Sequence, residues 1–227
     1  MTALLSLDSH EAPGPAPAGL AWDGRWLWHN DFRTGRLYRL RLDPLSPQVE
    51  MVCAGTISGL AWDGQSLWQS RLDEPYLQQI SPTSLDIDRT LALSEYSRLT
   101  DVAWDGQRLW IVWQAGSALL AVDPETGRVV GQHRVPTAAA ALTFDRGRLW
   151  CTLAHPMRYD EETASFVWAG DRRSFSLIGI DPDTGDETVR YGLPFLPTGV
   201  TWQDDHLWLS HATAGTLHRT RTPLVDR

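Results

Sequence analysis

A ten-residue phrase recurs along this chain and constrains its fold more than any other feature. It reads Gly-Leu-Ala-Trp-Asp-Gly-x-x-Leu-Trp at 19–28 and at 59–68, and it returns in altered form at 101–110, 141–150 and 199–208. The aromatic residues that mark it are separated by 40, 42, 40 and 58 residues; they are Trp22, Trp62, Trp104, Phe144 and Trp202. Self-similarity at this period is typical of a protein built from repeated supersecondary units.

Each repeat carries the signals of four antiparallel strands. Two short apolar runs flank the Asp-Gly dipeptide, which favours a tight hairpin turn because Gly tolerates positive φ. A third run follows, clearest at 36–42, 118–123 and 176–181, and an Asp-Pro-x-Thr-Gly turn at 123–127 and 181–185 leads into a fourth. Four such strands in about 40 residues are typical of a propeller blade.

We therefore predict one all-β domain over residues 1–227, a five-bladed β-propeller. The predicted blades are 19–55, 56–97, 98–137, 138–195, and 196–222 together with 3–7. The last repeat lacks a fourth apolar run of its own, so the run at 3–7 is expected to supply its outer strand and to close the ring.

The 58-residue step predicts an insertion in blade four. The segment between its second and third strands, 155–175, is about 18 residues longer than in the other repeats. Strand alternation places this loop on the face that carries the connections into each first strand, opposite the Asp-Gly turns. Variable loops on one face and short turns on the other indicate that the variable face binds a ligand.

Composition limits the function classes. The formal net charge is −8, and the 20 basic residues are all Arg. An acidic chain without a basic stripe does not favour nucleic acid, and a chain without Lys has neither a Schiff-base lysine nor a Walker-type phosphate loop. No run is long enough to span a membrane. Without a signal peptide, Cys53 and Cys151 are expected to be reduced thiols of a cytoplasmic protein.

Residues that precede each first strand are expected to line the mouth of the central tunnel. They are small or hydroxyl-bearing: Ala18, Ser58, Thr100 with Asp101, Ala140 and Thr198. They can contact a ligand or form a polar ring that holds ordered water.

The last positions of the second strands differ between blades, whereas structural positions repeat. They are Asp31, Arg71, Trp113, His155 and His211. Blades four, five and one are neighbours in a closed ring, so we expect His155, His211 and Asp31 to converge as acid/base groups or as ligands of a metal. The alternative is that they are unrelated rim residues. No cofactor can be identified from the sequence.

The insertion contributes a third candidate set. Its ligand-binding candidates are Arg158, Tyr159, Trp168, Arg172 and Arg173, beside Phe166. Such a loop suits a lid over a pocket, with the Arg pair binding an anionic group, or a surface for a protein partner or a second copy of the chain. The recurrent Trp residues of the repeat are expected in the core.

The repeated pattern resembles a propeller superfamily that includes YVTN repeats, gluconolactonase-like proteins, virginiamycin B lyase and glutaminyl cyclotransferases. The gluconolactonase-like metal ligand, a Glu before the first-strand Gly, is replaced here by Ala18, Ser58 and Thr198. The cyclotransferase segments Thr-Gln-Gly and Glu-Ser-Thr correspond here to Pro-Ala-Gly at 17–19 and His-Asn-Asp at 29–31. The resemblance therefore implies the fold more than any one activity.

Two functions stay open from the sequence. The first is a small-molecule binder, for an anionic or aromatic ligand under the 155–175 loop, which as an enzyme would be of lyase, cyclase or hydrolase type. The second is a non-catalytic scaffold that uses the same loop to contact another protein or to form a homodimer.

Overall fold

A computed structural model describes residues 7–53, 55–160, 162–163 and 165–221, and within them all side chains except those of 158, 159, 165 and 166. This part of the chain forms five four-stranded antiparallel sheets and one separate two-stranded hairpin. The prediction of a five-bladed all-β propeller is thereby confirmed.

The strands follow one another in the same order in every blade, from the tunnel outwards. Blade one is β2 (Pro17–Trp22), β3 (Leu27–Asp31), β4 (Arg36–Leu42) and β5 (Leu45–Val52). Blade two is β6 (Ile57–Trp62), β7 (Leu67–Arg71), β8 (Tyr76–Ile80) and β9 (Ile87–Ala92). Blade three is β10 (Leu99–Trp104), β11 (Leu109–Trp113), β12 (Ala118–Val122) and β13 (Val129–Arg134).

Blade four contains the hairpin, and blade five takes its outer strand from the start of the described chain. Blade four is β14 (Ala138–Asp145), β15 (Arg148–His155), β18 (Ser174–Ile180) and β19 (Glu187–Leu193), with the hairpin β16 (Met157–Asp160) and β17 (Ser165–Trp168) between β15 and β18. Blade five is β20 (Gly199–Gln203), β21 (His206–His211), β22 (Thr216–Thr220) and β1 (Leu7–Glu11).

The ring closes as expected, through the strand at the start of the described chain. Leu7 pairs with Thr220 and Glu11 with Thr216, so the closing strand extends beyond the predicted run 3–7 as far as Glu11. Residues 3–6 lie outside the described residues. The polar residues of β1 suit a half-exposed outer strand.

The hydrophobic core lies between neighbouring blades. One buried cluster combines Trp110 and Val112 of blade three with Leu142, Leu149 and Cys151 of blade four. The second Trp of each repeat is buried, at 0–2% exposure: Trp28, Trp68, Trp110, Trp150 and Trp208. These large rings fill the space between sheets, which is why they recur at one position of the repeat.

The Asp of the Asp-Gly turn has a second role. In blades one to three its carboxylate accepts the two following turn amides and also the indole N–H of the next Trp; the Oδ2 to Nε1 distance is 2.7 Å for Asp23 with Trp28, Asp63 with Trp68 and Asp105 with Trp110. In blade five Gln203 replaces the Asp and accepts from Trp208 at 2.9 Å. The turn residue thus satisfies the polar atom of the core residue that follows it.

The Gly that opens the phrase allows the innermost strands to approach each other. A Cβ on Gly59 would lie 2.4 Å from Asp101 Cα, and one on Gly199 would lie 2.0 Å from the carbonyl oxygen of Ala18. Backbone at that distance leaves no room for a side chain. These glycines therefore serve close packing around the axis rather than a turn.

The described residues include no helix long and apolar enough to cross a membrane.

We expect Gly59→Ala to lower the free energy of unfolding by about 1–3 kcal/mol, because the new methyl group must displace the β10 backbone. Denaturant titration would measure the change. The control is Gly131→Ala on the outer strand β13, where a Cβ would meet Ala121 at an ordinary 3.5 Å. Equal stabilities for the two variants would show that the axis can relax around an added methyl group.

Candidate functional site

A cavity of about 330 Å³ opens at one end of the central tunnel. We call it the upper chamber and define it by its lining residues: Ala18, Phe32, Ser58, Leu72, Thr100, Gln114, Ala140, Leu196, Thr198 and Ala212. Half of them are the residues that the sequence placed at the tunnel mouth; in the structure four of these lie near the start of a first strand, and Thr198 directly precedes β20. The others follow a second strand, apart from Leu196, which precedes β20. The chamber exists because the positions nearest the axis carry small side chains.

Most hydroxyls of the upper chamber are already used by the fold. Ser58 Oγ donates to the Leu99 carbonyl at 2.8 Å, and Thr198 Oγ1 donates to the Pro17 carbonyl at 2.8 Å. Thr100 Oγ1 is buried and has no hydrogen-bond partner within the described residues. Its neighbour along the rim, Gln114, brings a carboxamide. Blade three therefore supplies the polar side of an otherwise apolar cavity.

Asp101 forms a floor beneath the upper chamber. It is fully buried, in a bulge of β10 at the position that holds Gly in three other repeats. Its carboxyl group accepts backbone N–H groups from Val102 (2.9 Å), from Leu60 of blade two (3.2 Å) and from Leu142 of blade four (2.8 Å). One side chain thus joins three blades at the axis. Burial raises its pKa well above the usual range, although the three N–H donors oppose that shift.

Below Asp101 lies a second, smaller cavity of about 110 Å³, which we call the lower chamber. It is lined by 20–22, 60–62, 102–104, 143–145 and 201–202, the ends of the innermost strands that lead into the first turns. The sequence placed its aromatic markers in the core. Trp202 is buried, but Trp22, Trp62, Trp104 and Phe144 are only half-buried, although they also pack against core clusters.

His155 belongs to a polar cluster on the outer part of blade four. Its Nε2 lies 3.0 Å from Ser176 Oγ and accepts from Arg190 Nη1 at 3.1 Å, while the same Arg190 atom donates to Ser176 Oγ at 2.9 Å. Glu187 pairs with the other side of the Arg190 guanidinium. Burial, and secondarily the charge of Arg190, lowers the pKa of His155. The imidazole is therefore held neutral as an acceptor.

His211 and Asp31 have different partners again. The His211 ring stacks on Phe195 with centroids 4.1 Å apart, its Nε2 lies 3.0 Å from Thr213 Oγ1, and burial lowers its pKa. Asp31 is fully buried and accepts the amides of Ala16 (2.6 Å) and Thr34 (2.7 Å). Its oxygens are consumed in fixing the loops around β3.

The structure does not bring His155, His211 and Asp31 together. Each is engaged by neighbours of its own, and no three His, Cys, Asp or Glu side chains in the described part of the chain are grouped so that they could hold a metal ion. The divergence between blades at these positions reflects three local packing solutions.

Arg71 and Trp113 also serve their own blades. The buried Arg71 guanidinium pairs with Glu74 Oε2 at 2.8 Å, donates to Gln78 Oε1 at 3.3 Å and lies 5.5 Å from the centre of the Tyr76 ring. Trp113 packs edge-on against Tyr96, with centroids 5.0 Å apart. Neither residue lines the upper chamber.

The insertion folds as the hairpin β16–β17, and its base is tied to the start of blade four. Thr137 Oγ1 donates to the Met157 carbonyl at 2.8 Å, which places the hairpin on the predicted face, away from the Asp-Gly turns. Trp168 packs against Phe175 (6.1 Å between centroids), and the Arg173 guanidinium lies 4.6 Å above its ring. Arg172 and Arg173 are exposed.

The backbones of Arg158 and Tyr159 lie in β16, while their side chains are outside the described part. None of the hairpin side chains that the structure does describe lines the upper chamber.

Sequence reasoning missed the residues that follow the second strands. Phe32, Leu72, Gln114 and Ala212 each come one position after a residue that was singled out. These residues lie in the turns directly after the second strands, so the strand alternation that selected their neighbours does not extend to them. In the sequence, the available signal was Phe32, a large aromatic residue directly after a second strand.

No protein-family model and no curated protein matches the sequence. Among solved structures, the chain is similar to Myxococcus xanthus glutaminyl cyclase at 18% identity with a TM-score of 0.73, and the match covers 100% of both chains. It is similar to virginiamycin B lyase from Staphylococcus aureus at 10% identity with a TM-score of 0.53, over 96% of this chain and 100% of the other.

A third similar structure is a chain of a nidogen/laminin complex, at 15% identity with a TM-score of 0.57. The match covers 77% of this chain and 63% of that one. At these sequence identities the similarity concerns the fold alone. The predicted resemblance to proteins with a propeller fold is confirmed.

Asp101 gives the stability a defined pH dependence. A carboxyl group whose pKa is raised in the folded state binds more protons there than in the unfolded chain. The stability that Asp101 contributes is therefore fully present when the pH lies below the pKa of the unfolded chain, about 3.9. This stability is lost as the pH rises through the pKa of the folded state. We expect the unfolding free energy of the wild type, relative to Asp101→Asn, to decline across that window.

Urea titrations at a series of pH values would measure this difference. Asp183→Asn is the control for removal of an exposed carboxylate, because the Asp183 side chain is 83% exposed. A difference for Asp101→Asn that grows with pH would contradict the prediction and would mean that the three N–H donors outweigh burial.

Proposed function

We propose that this protein binds a small, uncharged molecule in the upper chamber, with the apolar part of the ligand against Phe32, Leu72 and Leu196 and a carbonyl or amide group against Gln114. The observation that carries the proposal is the chamber itself. It is a concave cavity at the fold axis, and every described residue that lines it is uncharged. An apolar cavity with a few convergent polar groups is the usual form of a small-molecule site.

The apolar side of the chamber supports contact with a hydrophobic group. Phe32 is 45% exposed, which is unusual for a large aromatic residue and leaves part of its ring facing the opening. Leu72 and Leu196 stand on the same rim. A ligand that covers these groups would remove their apolar surface from water, which stabilises the complex by about 25 cal/mol per Å² buried.

The polar side supports one hydrogen-bonding group. The Gln114 carboxamide lies on the rim of the chamber. A carbonyl or amide on the ligand can pair with this carboxamide, whereas a charged group would enter a cavity without a described counter-charge.

The finer expectation of an anionic ligand beneath the hairpin has less support. Arg172 and Arg173 are exposed, and neither lines the chamber. An aromatic ligand remains compatible with the proposal. The scaffold alternative is also less favoured, since the described aromatic group of the hairpin, Trp168, is covered by Arg173 and packed on Phe175.

Catalysis is the second candidate function, and the names of two structural neighbours, a cyclase and a lyase, favour it. The described chamber has no ionisable side chain to transfer a proton. Binding is therefore proposed first. Mass spectrometry of each probe after incubation with the protein separates the two functions, since a binder returns its ligand unchanged.

We expect N-acetyl-phenylalaninamide and N-acetyl-leucinamide, neutral amides with apolar side chains, to bind weakly, with roughly millimolar affinity for molecules of this size. Saturation-transfer NMR would detect them. Ala140→Phe should lower their affinity at least about tenfold, because the new ring projects from the rim into the chamber.

The matched control is Val130→Phe, which adds the same ring at an exposed position of the outer strand β13. It should leave probe binding unchanged. Equal binding to wild type and Ala140→Phe, or no binding of either probe to the wild type, would refute the proposal.

A further inference from the structure

We propose that the junction between blade five and blade one is a second binding site, separate from the upper chamber, and that it takes an apolar α-amino acid in its zwitterionic form. The site is a cavity of about 370 Å³ on the outer part of the ring, which we call the seam pocket. The proposal does not depend on binding in the upper chamber. The seam pocket is lined by His10, Leu42, Asp43, Gln203, Trp208 and Arg219.

The seam pocket forms where the closed end of the ring meets the first blade. His10 comes from β1, Trp208 from β21 and Arg219 from β22, and their register places all three side chains on the same face of blade five. Trp208 belongs to the buried cluster that joins this face to blade one. The opposite wall is supplied by Leu42, the last residue of β4, and by Asp43, which follows it.

The corresponding space is filled at two other junctions between blades. In blade two, Arg89 lies over the second Trp of its repeat and donates to the Pro124 carbonyl of blade three. In blade three, His133 stacks on the corresponding Trp, and its Nε2 lies 2.8 Å from the Pro182 carbonyl oxygen of blade four. In blade five, His10 also packs on this Trp, with ring centroids 5.5 Å apart, but within the described residues it forms no hydrogen bond with blade one. The seam pocket is the unfilled counterpart of those two contacts.

Arg219 is the positive group of the seam pocket. Its Nε is buried and has no hydrogen-bond partner within the described residues. Asp8 lies opposite Arg219 on β1, but its carboxylate accepts from Arg221 Nε at 2.7 Å. Gln203 Oε1 accepts from the Trp208 indole, which leaves the amide N–H groups of Gln203 as further donors. A planar guanidinium fits a carboxylate, so Arg219 is the group that would bind the carboxylate of a ligand.

Asp43 is the negative group of the seam pocket. The Asp that begins the corresponding turn in blades three and four accepts two turn amides, at 2.8 and 2.9 Å for Asp123 and at 2.8 and 3.0 Å for Asp181. Asp43 is exposed, and among the described residues it forms neither such a bond nor an ion pair. Its carboxylate can therefore accept hydrogen bonds from the ammonium group of a ligand.

Opposite charges on the lining of one cavity favour a ligand that carries both. A simple anion would also meet the Asp43 carboxylate, and a simple ammonium ion would meet the Arg219 guanidinium. An α-amino acid carries a carboxylate and an ammonium group on one carbon and matches the two groups at once. Leu42, Trp208 and the His10 ring border the rest of the cavity, which suits an apolar side chain.

Titration of the full chain with L-leucine, followed by saturation-transfer NMR, tests the proposal. N-acetyl-L-leucine lacks the ammonium charge, and L-leucinamide lacks the carboxylate. We expect L-leucine to bind with roughly millimolar affinity, at least about tenfold more tightly than either analogue, because each analogue loses one charge-assisted contact. Absence of L-leucine binding, or an analogue that binds as tightly as L-leucine, would overturn the proposal.

Two substitutions of opposite charge locate the site. Asp43→Asn should abolish the preference for L-leucine over N-acetyl-L-leucine, and Arg219→Gln should abolish the preference over L-leucinamide. Circular dichroism and thermal melting report whether each variant stays folded; the exposed position of Asp43 makes its substitution the milder one.

Two control variants should keep both preferences of the wild type. Asp183→Asn removes an exposed carboxylate from the corresponding turn of blade four, and Ala140→Phe blocks the upper chamber. A preference for L-leucine that survives in folded Asp43→Asn, or one that is lost in Ala140→Phe, would place the amino acid elsewhere and reject the assignment.

Discussion

Backbone contact between innermost strands is the constraint on which this propeller depends. With five blades the strands meet around a narrow axis, and at Gly19, Gly59 and Gly199 a neighbouring strand occupies the place where a side chain would be. The short distance between innermost strands therefore explains why the repeated phrase begins with Gly. The remainder of the phrase then follows outwards: an apolar first strand, a turn Asp that satisfies an indole, and a Trp that fills the space between two sheets.

Blade three breaks this rule, and the exception organises the axis. Where three other repeats carry Gly and blade four carries Ala141, Asp101 places a carboxyl group among backbone N–H groups of three blades. The cost of burying it is partly offset by those donors, and Cys151 nearby is affected as well, since burial and then the charge of Asp101 raise the pKa of its thiol. The result is a tunnel divided into two cavities of different character.

The sequence predicted those features that depend on repetition and missed those that depend on exact position. Its period yields the blade number, the Asp-Gly and Asp-Pro-x-Thr-Gly turns, and the face on which the insertion lies, all because one structural solution is copied along the chain. Ring closure was also predictable, but the run 3–7 did not indicate that the closing strand continues to Glu11, since an outer strand with mostly polar residues gives little apolar signal.

The candidate site was harder to predict because a position can differ between blades either for local packing or for ligand binding. Asp31, His155 and His211 differ from their counterparts, yet each does so to satisfy loops or polar groups within its own blade. A sequence shows that a position has stopped repeating but not which way its side chain points. One residue further on, Phe32, Leu72 and Gln114 reach the axis instead.

The two ends of the tunnel differ in how the repeat shapes them. In the upper chamber, small residues leave a cavity, and the individual loop residues around it decide what fits; this is an asymmetric cavity in a symmetric ring. Around the lower chamber the repeat is followed closely, because the aromatic residue at the end of each innermost strand packs into the cluster between two neighbouring blades. A position that has the same structural task in every blade is therefore copied along the chain, whereas the loop positions around the upper chamber can differ from blade to blade.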